Sequence, residues 1–334
     1  MRGAVWAGWA MTAVLFLSAL LFLPRPREQT GQEPREPSAR TEQTVSAARR
    51  DAEVVLRVWN GRETVETTLA AYLPGVVRGE MPAAFEPEAL AAQAAAERTY
   101  ICYHLQSGRK SAHPDADVCT DPACCSAWTS EEEARERWGE NYAVYEEKIE
   151  KAVAETDGQI VLYGGEPILA AFHSSSAGRT VASGEVWRAD LPYLRSVESP
   201  ESEDTVPNYY SVTTLTAAEF RDAFLAAHPE ADLSGSAEGW ITGVRFSESG
   251  RVEAATVGGV TVPGTELRQI LGLRSASFTV SAEGESLVFR VVGYGHGVGM
   301  SQYGANELAR RGKTWREILQ WYYSGVTIGP IPGK

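Results

Sequence analysis

The chain has 334 residues, of which 43% are hydrophobic, enough to bury one large core or two smaller ones. Its 44 acidic and 31 basic residues give a formal net charge of −13 at pH 7. This charge argues against a nucleic-acid-binding protein, which presents a basic surface, and it offers no bulk attraction to anionic lipid headgroups. It permits a largely neutral polymer as substrate.

The N-terminus carries an uncharged run of 20 residues, 4–23. As a helix this run would span roughly 30 Å, the thickness of a bilayer's hydrocarbon core. The run is longer than the apolar part of a cleavable signal peptide, and Pro-Arg-Pro-Arg-Glu follows it instead of a small-residue cleavage site. We therefore predict an uncleaved transmembrane anchor in residues 1–23. Residues 24–51 have no aromatic residue and almost nothing apolar to bury, so they are predicted to be a flexible linker.

The globular part is predicted to span residues 52–330. Residues 53–59 and 63–68 predict two strands joined by the hairpin signal Asn60-Gly61. Residues 68–79 and 87–103 predict two helices, the second rich in alanines that indicate close packing. Residues 130–157 predict one long charged helix or a pair of them, and Ser130 with Glu133 indicates a capping box.

The second half of the chain predicts shorter elements. Residues 159–163 and 167–172 favour another hairpin, residues 213–228 a helix, and Ser301 is a predicted N-cap of a helix that Gly312 ends. Short strands are predicted at residues 240–246, 252–257 and 278–281. Residues 198–285 contain no chemical motif and are predicted to be an inserted subdomain. The fold class is therefore α+β, with mixed helices and sheets and a smaller second or inserted subdomain.

One carboxylate stands out, Glu80, within Gly75-Val-Val-Arg-Gly-Glu80-Met-Pro and just before the alanine-rich helix. Apolar surroundings disfavour the charged form of a Glu and raise its pKa, as a general acid near neutral pH requires. The ordinary role of such a Glu is a helix-end residue satisfied by backbone N–H groups. Arg98 follows on the next helix, where an arginine is usually a solvated or ion-paired group.

Two further segments offer polar groups. His173-Ser-Ser-Ser follows a predicted strand and supplies an imidazole and hydroxyls for a sugar, or simply forms a turn capped by its own serines. Gly293-Tyr-Gly-His296-Gly-Val-Gly-Met-Ser-Gln302 lacks the glycine spacing of a phosphate-binding loop. Its alternating glycines instead allow close backbone approach and place His296 on a thin loop.

A loop rich in proline and aspartate holds His113, Cys119, Cys124 and Cys125 within thirteen residues. Thiolates and neutral imidazole are the ligands that Zn²⁺ prefers, although this spacing is not a common zinc pattern. A Cys119–Cys125 disulfide, favoured in an extracytoplasmic compartment, explains the same residues. Chemistry alone leaves metal and disulfide open. Cys102 lies in the preceding helix and is predicted to be a buried apolar side chain.

Glu80-Met-Pro with the following helix, the His173-Ser-Ser segment, the glycine-rich block and the cysteine loop together resemble the stage II sporulation protein D family of peptidoglycan-cleaving enzymes. The resemblance covers most of residues 53–326. It implies a catalytic domain with a long glycan-binding groove in which Glu80 is the acid and base. The residues that it implies for the cleft are Arg98, His173, Ser174, Ser175, His296 and Gln302. It also implies one structural zinc on His113, Cys119 and Cys125, with Cys124 as a further candidate because a His is frequent there.

The resemblance further implies a membrane-anchored lytic transglycosylase, with its catalytic domain outside the cytoplasm, that acts during engulfment in sporulation. Its substrate would be glycan strands already stripped of stem peptides, and its partners a membrane-anchored amidase and a membrane scaffold. Two other functions remain open: a non-catalytic wall-binding activator of an amidase, and a hydrolase using a cysteine or metal-bound water with His173 or His296 as base.

Overall fold

The computed structural model describes residues 50–333. The predicted anchor in residues 1–23 and the predicted linker up to residue 49 lie outside the described residues. Within residues 50–333, no helix is both long enough and apolar enough to cross a membrane.

The helices of the described part agree with most of the predicted ones. Their bounds are α1 (Leu69–Glu80), α2 (Pro87–Ser107), α3 (Glu131–Trp138), α4 (Tyr142–Glu155), α5 (Ala217–Ala227), α6 (Gly264–Leu271), α7 (Gln302–Arg310) and α8 (Trp315–Tyr322). Residues 130–157 thus form a pair of helices, and the Ser130–Glu133 capping box is present.

The strands are short. Their bounds are β1 (Val55–Trp59), β2 (Thr64–Thr68), β3 (Val118–Cys119), β4 (Gln159–Tyr163), β5 (Glu166–Pro167), β6 (Phe172–His173), β7 (Tyr210–Thr216), β8 (Ile241–Phe246), β9 (Val252–Val257), β10 (Val260–Pro263), β11 (Phe278–Glu283), β12 (Ser286–Val292), β13 (Met300–Ser301) and β14 (Thr327–Pro330). Within the described part they form small sheets in the orders β2-β1-β3, β10-β9-β8, β11-β12-β7, β13-β6 and β14-β4-β5. The mixed helix-and-sheet architecture is therefore confirmed.

Helix α2 lies at the centre of the first hydrophobic core. It packs against α1, α4, α7, α8 and β4. Its alanines are buried, which confirms that they serve close packing: Ala89, Ala91, Ala92, Ala94, Ala95 and Ala96. Small side chains let these elements, and also β5, pack closely against one helix, so this core fixes the positions of α1, α7 and α8.

A second core contains residues of α5, α6, β9, β11 and β12. Phe220 stacks on Phe224, Trp240 and Phe289, with ring centroids 5.9 to 6.2 Å apart. Val291 on β12 is also part of this core, which therefore extends beyond residue 285, the predicted end of the inserted subdomain.

Two predicted elements differ from the structure. The helix predicted over residues 213–228 begins only at α5, because Tyr210–Thr216 alternates in exposure and forms the edge strand β7. The hairpin predicted over residues 159–172 pairs only as far as Pro167. Beyond it, β6 pairs in parallel with β13 and places His173 opposite Ser301.

Candidate active site

Glu80 is the last residue of α1 and is partly buried. Its carboxylate Oε1 accepts a hydrogen bond from the backbone N–H of Ala127. Burial raises the pKa of Glu80, while this N–H bond opposes the rise. A carboxyl group with a raised pKa that keeps some contact with solvent is suited to general acid chemistry.

Two glycines of α1 allow residues 127–129, the segment that binds the Glu80 side chain, to lie directly against the helix. A Cβ at Gly79 would lie 2.6 Å from the carbonyl oxygen of Ala127, and one at Gly75 would lie 2.1 Å from Nε1 of Trp128. The N–H of Thr129 donates to the carbonyl of Gly75 at 2.9 Å. The glycine pair, four residues apart, is therefore the sequence signal for this contact, because only helix positions without a Cβ admit another backbone so closely.

Glu80 also lines an open cavity whose other side chains include Trp138 and Tyr145. Their rings meet edge to face, with centroids 5.6 Å apart. Half-buried aromatic rings present an apolar face beside a polar tip, a surface that suits the apolar face of a sugar ring. The lining, taken over the described residues, does not include His173 or His296. Neither aromatic residue is predicted from sequence, since nothing in the charged segment 130–157 marks them.

Gln302 connects the glycine-rich block to Glu80. It begins α7 directly after the N-cap Ser301, and its side-chain amide donates to the main-chain carbonyl of Glu80 at 2.9 Å. The predicted N-cap is confirmed, because the Ser301 hydroxyl accepts from the N–H of Gly304. The first and third sequence motifs therefore meet in the structure.

His173 and His296 lie side by side, with ring centroids 5.7 Å apart, and Trp187 packs on His296 at 5.5 Å. Burial lowers the pKa of His173 to about 4 and that of His296 to about 3. Both rings are thus neutral near pH 7. The Nδ1 of His173 donates to the carbonyl of Val298 at 3.2 Å, and its Nε2 is buried without a hydrogen-bond partner among the described residues.

The alternating glycines permit this pairing. A Cβ at Gly295 would lie 2.8 Å from Cβ of His173, and one at Gly299 would lie 2.0 Å from the carbonyl oxygen of Ala171. Both glycines have positive φ angles of 113° and 74°. The prediction that backbone approaches closely at this block is confirmed.

The serines after His173 divide into separate roles. The carbonyl of Ser174 accepts from the N–H of Tyr303 at 3.0 Å, and the backbone of Ser175 pairs with that of Tyr294. The hydroxyl of Ser175 is buried with no hydrogen-bond partner in the described part of the chain. Ser174 and Ser175 are therefore held through their backbone and not through their hydroxyls.

Glu201, a residue that the sequence analysis missed, organises this loop. It is 3% exposed, and its carboxylate accepts from the backbone N–H and hydroxyl of Ser176 at 2.7 and 2.8 Å. The hydroxyls of Ser199 and Ser301 donate to the same carboxylate at 2.5 and 2.6 Å. One buried carboxyl group with several hydrogen-bond donors thus joins the loop after His173 to the N-cap of α7.

Glu97 is a second carboxyl near Glu80, also missed from sequence. It is fully buried on α2, where it accepts from the Ser126 hydroxyl at 3.0 Å and from the Gln93 amide at 3.2 Å. Burial raises the pKa of Glu97 well above its ordinary value, and the charge of Glu80 raises it further. The folded environment therefore favours the protonated form of Glu97 more than water does.

Arg98 lies away from the cleft implied for it. It is fully buried, and its guanidinium forms two hydrogen bonds of 2.7 and 2.8 Å with the carboxylate of Asp51. Its remaining donors reach Thr156, Gln159 and Val153 at 3.1 to 3.3 Å. With all its nitrogens engaged, Arg98 holds the core together and has none free for a sugar. Asp51, assigned to the linker, belongs to the folded domain.

The cysteine loop brings its four candidate ligands together. One ligand atom each of His113, Cys119, Cys124 and Cys125 lies within 4.8 Å of the others. The Nδ1 of His113 donates to the carbonyl of Ala116 at 3.0 Å, which leaves Nε2 directed at Cys125 Sγ, 3.4 Å away. Cys119, Cys124 and Cys125 form no disulfide within the described residues. This donor set, with its imidazole oriented by a carbonyl, fits Zn²⁺.

Comparison with known proteins agrees with the motifs. The stage II sporulation protein family matches residues 60–163. Stage II sporulation protein D of Bacillus subtilis (strain 168) is 40% identical over 261 residues, 78% of this chain and 74% of that protein. Its counterpart in Bacillus amyloliquefaciens is 34% identical over 323 residues, 94% and 92% of the two chains. The amidase enhancer of Bacillus subtilis (strain 168) is 28% identical over 303 residues, 77% of this chain and 40% of that protein. The chain belongs to the stage II sporulation protein D family.

Proposed function

We propose that this protein is a lytic transglycosylase that cleaves peptide-stripped peptidoglycan strands between N-acetylmuramic acid and N-acetylglucosamine. The observation that carries the proposal is the environment of Glu80: a partly buried carboxyl with a raised pKa, beside an open cavity with two aromatic rings. Membership of the sporulation family supports it.

The neighbouring Glu97 supports a mechanism with one carboxyl group. Hydrolytic glycosidases use two carboxyl groups about 5 to 9.5 Å apart, the second as nucleophile or as base for water. Glu97 is fully buried, which keeps its carboxyl away from sugar and water, and burial raises its pKa well above the ordinary value; both features disfavour either role. A transglycosylase needs no second carboxylate, because the substrate supplies its own nucleophile.

In the proposed reaction, protonated Glu80 donates its proton to the glycosidic oxygen as that oxygen leaves C1 of the muramic acid. The C1 centre develops positive charge. The Glu80 carboxylate then removes the proton from the C6 hydroxyl of the same sugar, whose oxygen bonds to C1. The products are a 1,6-anhydromuramic end and a free N-acetylglucosamine hydroxyl, and Glu80 is again protonated.

The cysteine loop fits a structural zinc in this scheme. Bound to His113, Cys119, Cys124 and Cys125, the ion would fix the loop with a closed set of four protein ligands. Ser126 and Ala127, directly after Cys125, contact Glu97 and Glu80. The loop thus has a positioning role. A closed ligand set leaves no position for the metal-bound water of a zinc hydrolase.

We further propose that residues 1–23 anchor the protein in the cell membrane with the domain outside the cytoplasm. There it would act in engulfment with a membrane-anchored amidase, which strips the stem peptides, and with a membrane scaffold. The names of its relatives, a sporulation protein and an amidase enhancer, support this setting.

A second candidate function is a non-catalytic glycan-binding activator of a wall amidase, favoured by the similarity to the amidase enhancer. Incubation of the full chain in detergent with peptide-free glycan strands separates the two, with products identified by mass spectrometry. Anhydromuramic ends support the transglycosylase. Hydrated reducing ends indicate a hydrolase, and retention of glycan without cleavage supports the activator.

A further inference from the structure

Three arginines of the described chain are more than nine-tenths buried: Arg78, Arg98 and Arg251. Arg78 is paired with Glu146 and Arg98 with Asp51. Arg251 has no carboxylate within 4.0 Å among the described residues. Its Nη1 donates to the main-chain carbonyl of His296, while Nε and Nη2 are buried without a hydrogen-bond partner. A buried guanidinium with two nitrogens that lack hydrogen-bond partners is strongly destabilising, so it requires an explanation.

Two more arginines lie beside it. The Nε of Arg268 donates to the carbonyls of Leu273 and Arg274 at 3.3 and 3.2 Å, and its charge acts on Arg251 and on both histidines. The guanidinium carbon of Arg274 lies 4.3 Å from the ring centroid of Tyr294. Within the described part, neither has a carboxylate within 4.0 Å, and both are partly exposed. We call Arg251, Arg268 and Arg274 the arginine cluster.

The cluster adjoins the loops implied in glycan binding. Tyr294, under Arg274, pairs with Ser175, whose hydroxyl is buried and unpartnered. His296, whose carbonyl binds Arg251, packs against His173, and the His173 strand pairs with Ser301 next to Gln302. Because both histidines are neutral near pH 7, the arginines supply the positive charge beside the loops that carry His173 and His296. The charge of Glu185 acts on Arg251 from beyond 4.0 Å. In a chain of net charge −13, neighbouring arginines without an ion pair among the described residues indicate a site for an anion.

We propose that the arginine cluster binds the free carboxylate of the lactyl group of muramic acid. The proposal rests on the proposed function, which supplies the glycan. While a stem peptide is attached, the lactyl carboxyl is a neutral amide; once the peptide is removed, it is the anion of the repeating disaccharide. Guanidinium groups bind carboxylates through paired, charge-assisted hydrogen bonds. Arg268 and Arg274, which are partly exposed, are the contacting residues, and the buried Arg251 adds its charge to the cluster. The cluster would thus give the enzyme its preference for peptide-stripped strands.

The test compares two substrates that differ in this one charge: peptide-free strands with free lactyl carboxylates, and the same strands converted to methylamides. The full chain in detergent is assayed for cleavage, and its Glu80→Gln variant for binding. The wild type should favour the acid strands about tenfold or more, as expected for one charge-assisted hydrogen bond. Arg268→Gln and Arg274→Gln should bring the ratio of acid to amide cleavage close to one, and Arg274→Lys should restore part of it.

Arg245→Gln is the matched control, since Arg245 is 62% exposed on β8, and it should keep the wild-type ratio. A cooperative thermal unfolding transition is the criterion that each variant is folded. Equal cleavage of both substrates by the wild type, or equal loss on both in the arginine variants, overturns the subsite and leaves the transglycosylase standing. If the wild type neither cleaves nor binds either substrate, the proposed function fails and the subsite falls with it.

Discussion

The side-chain amide of Gln302 donates a hydrogen bond to the main-chain carbonyl of Glu80, 2.9 Å away and 222 residues earlier in the chain. Ala127 binds the side chain of the same glutamate from another segment. Two parts of the chain that are remote in sequence therefore fix the end of α1. This arrangement gives the single acid and base of the proposed mechanism a defined position.

The approach of Ala127 depends on a missing side chain at Gly79. In Gly79→Ala the new Cβ would lie 2.6 Å from the Ala127 carbonyl oxygen, so the backbone at Ala127 must move. The hydrogen bond from the Ala127 N–H to the Glu80 carboxylate is then lost. We expect a loss of about 1–3 kcal/mol in the free energy of unfolding, as for overpacking elsewhere. Cleavage per folded molecule should fall as well.

Gly239→Ala is the control for that substitution, because a Cβ at Gly239 meets nothing within 4 Å. Denaturant unfolding and glycan cleavage measure both effects. Wild-type cleavage by Gly79→Ala would show that the contact between Ala127 and Glu80 is dispensable.

Glu97 makes stability depend on pH. Its raised pKa means that the folded protein keeps a proton that the unfolded chain releases above its ordinary pKa of about 4.3. Unfolding then releases a proton, so stability falls as pH rises from there through the folded pKa. Glu97→Gln removes this titration while keeping hydrogen-bonding capacity.

Thermal unfolding of wild type and Glu97→Gln between pH 4 and pH 8 tests this. The variant should be more stable than wild type at pH 8 and should lose that advantage at pH 4, while exposed Glu140→Gln should follow wild type. Parallel curves for Glu97→Gln and wild type would mean that Glu97 is ionised in the folded protein.

The four candidate ligands His113, Cys119, Cys124 and Cys125 lead us to predict that the protein binds zinc. Protein purified under reducing conditions should hold about one zinc per chain, and Cys119→Ser or Cys125→Ser should lose most of it. Cys102→Ala, outside the cluster, should retain it. Elemental analysis gives the zinc content. An absence of metal, with a Cys119–Cys125 crosslink found by peptide mass spectrometry, would support the disulfide instead.

Variants of the Asp51–Arg98 pair test whether Arg98 stabilises the fold or binds the substrate. Asp51→Asn leaves a buried, uncompensated guanidinium and should cost about 3–5 kcal/mol in the free energy of unfolding. The double variant Asp51→Leu, Arg98→Met should recover a large part of that loss. Cleavage per folded molecule by the double variant should match wild type; a selective rise in KM would place Arg98 at the substrate.

The sequence predicted the elements whose signals are local. The Asn60-Gly61 hairpin, the capping box at Ser130 and the N-cap at Ser301 each depend on a few neighbouring residues, and all three are present. Glu80 and Gln302 were found through family motifs, and the structure brings them together. The implied chemistry of the site stays a prediction.

Other features depend on partners that lie far away in the chain. Glu201 binds Ser301, 100 residues later, and Arg98 meets Asp51, 47 residues earlier, so no local pattern marks either contact. Residues 213–216, the second half of the strand β7, are predicted as helix from sequence because the helical signal of α5 adjoins them. The pairing of β7 with β12, itself not identified from sequence, determines the strand conformation.

The most direct test of the account is the yield of anhydromuramic ends from wild type, Glu80→Gln and Glu131→Gln on the same peptide-free glycan. Glu131 is an exposed carboxyl at the start of α3 and serves as the control. The account predicts that Glu80→Gln loses about 10²–10⁴-fold in rate, the usual contribution of general acid–base catalysis, while still binding glycan. Anhydromuramic ends released by Glu80→Gln at the wild-type rate would contradict it.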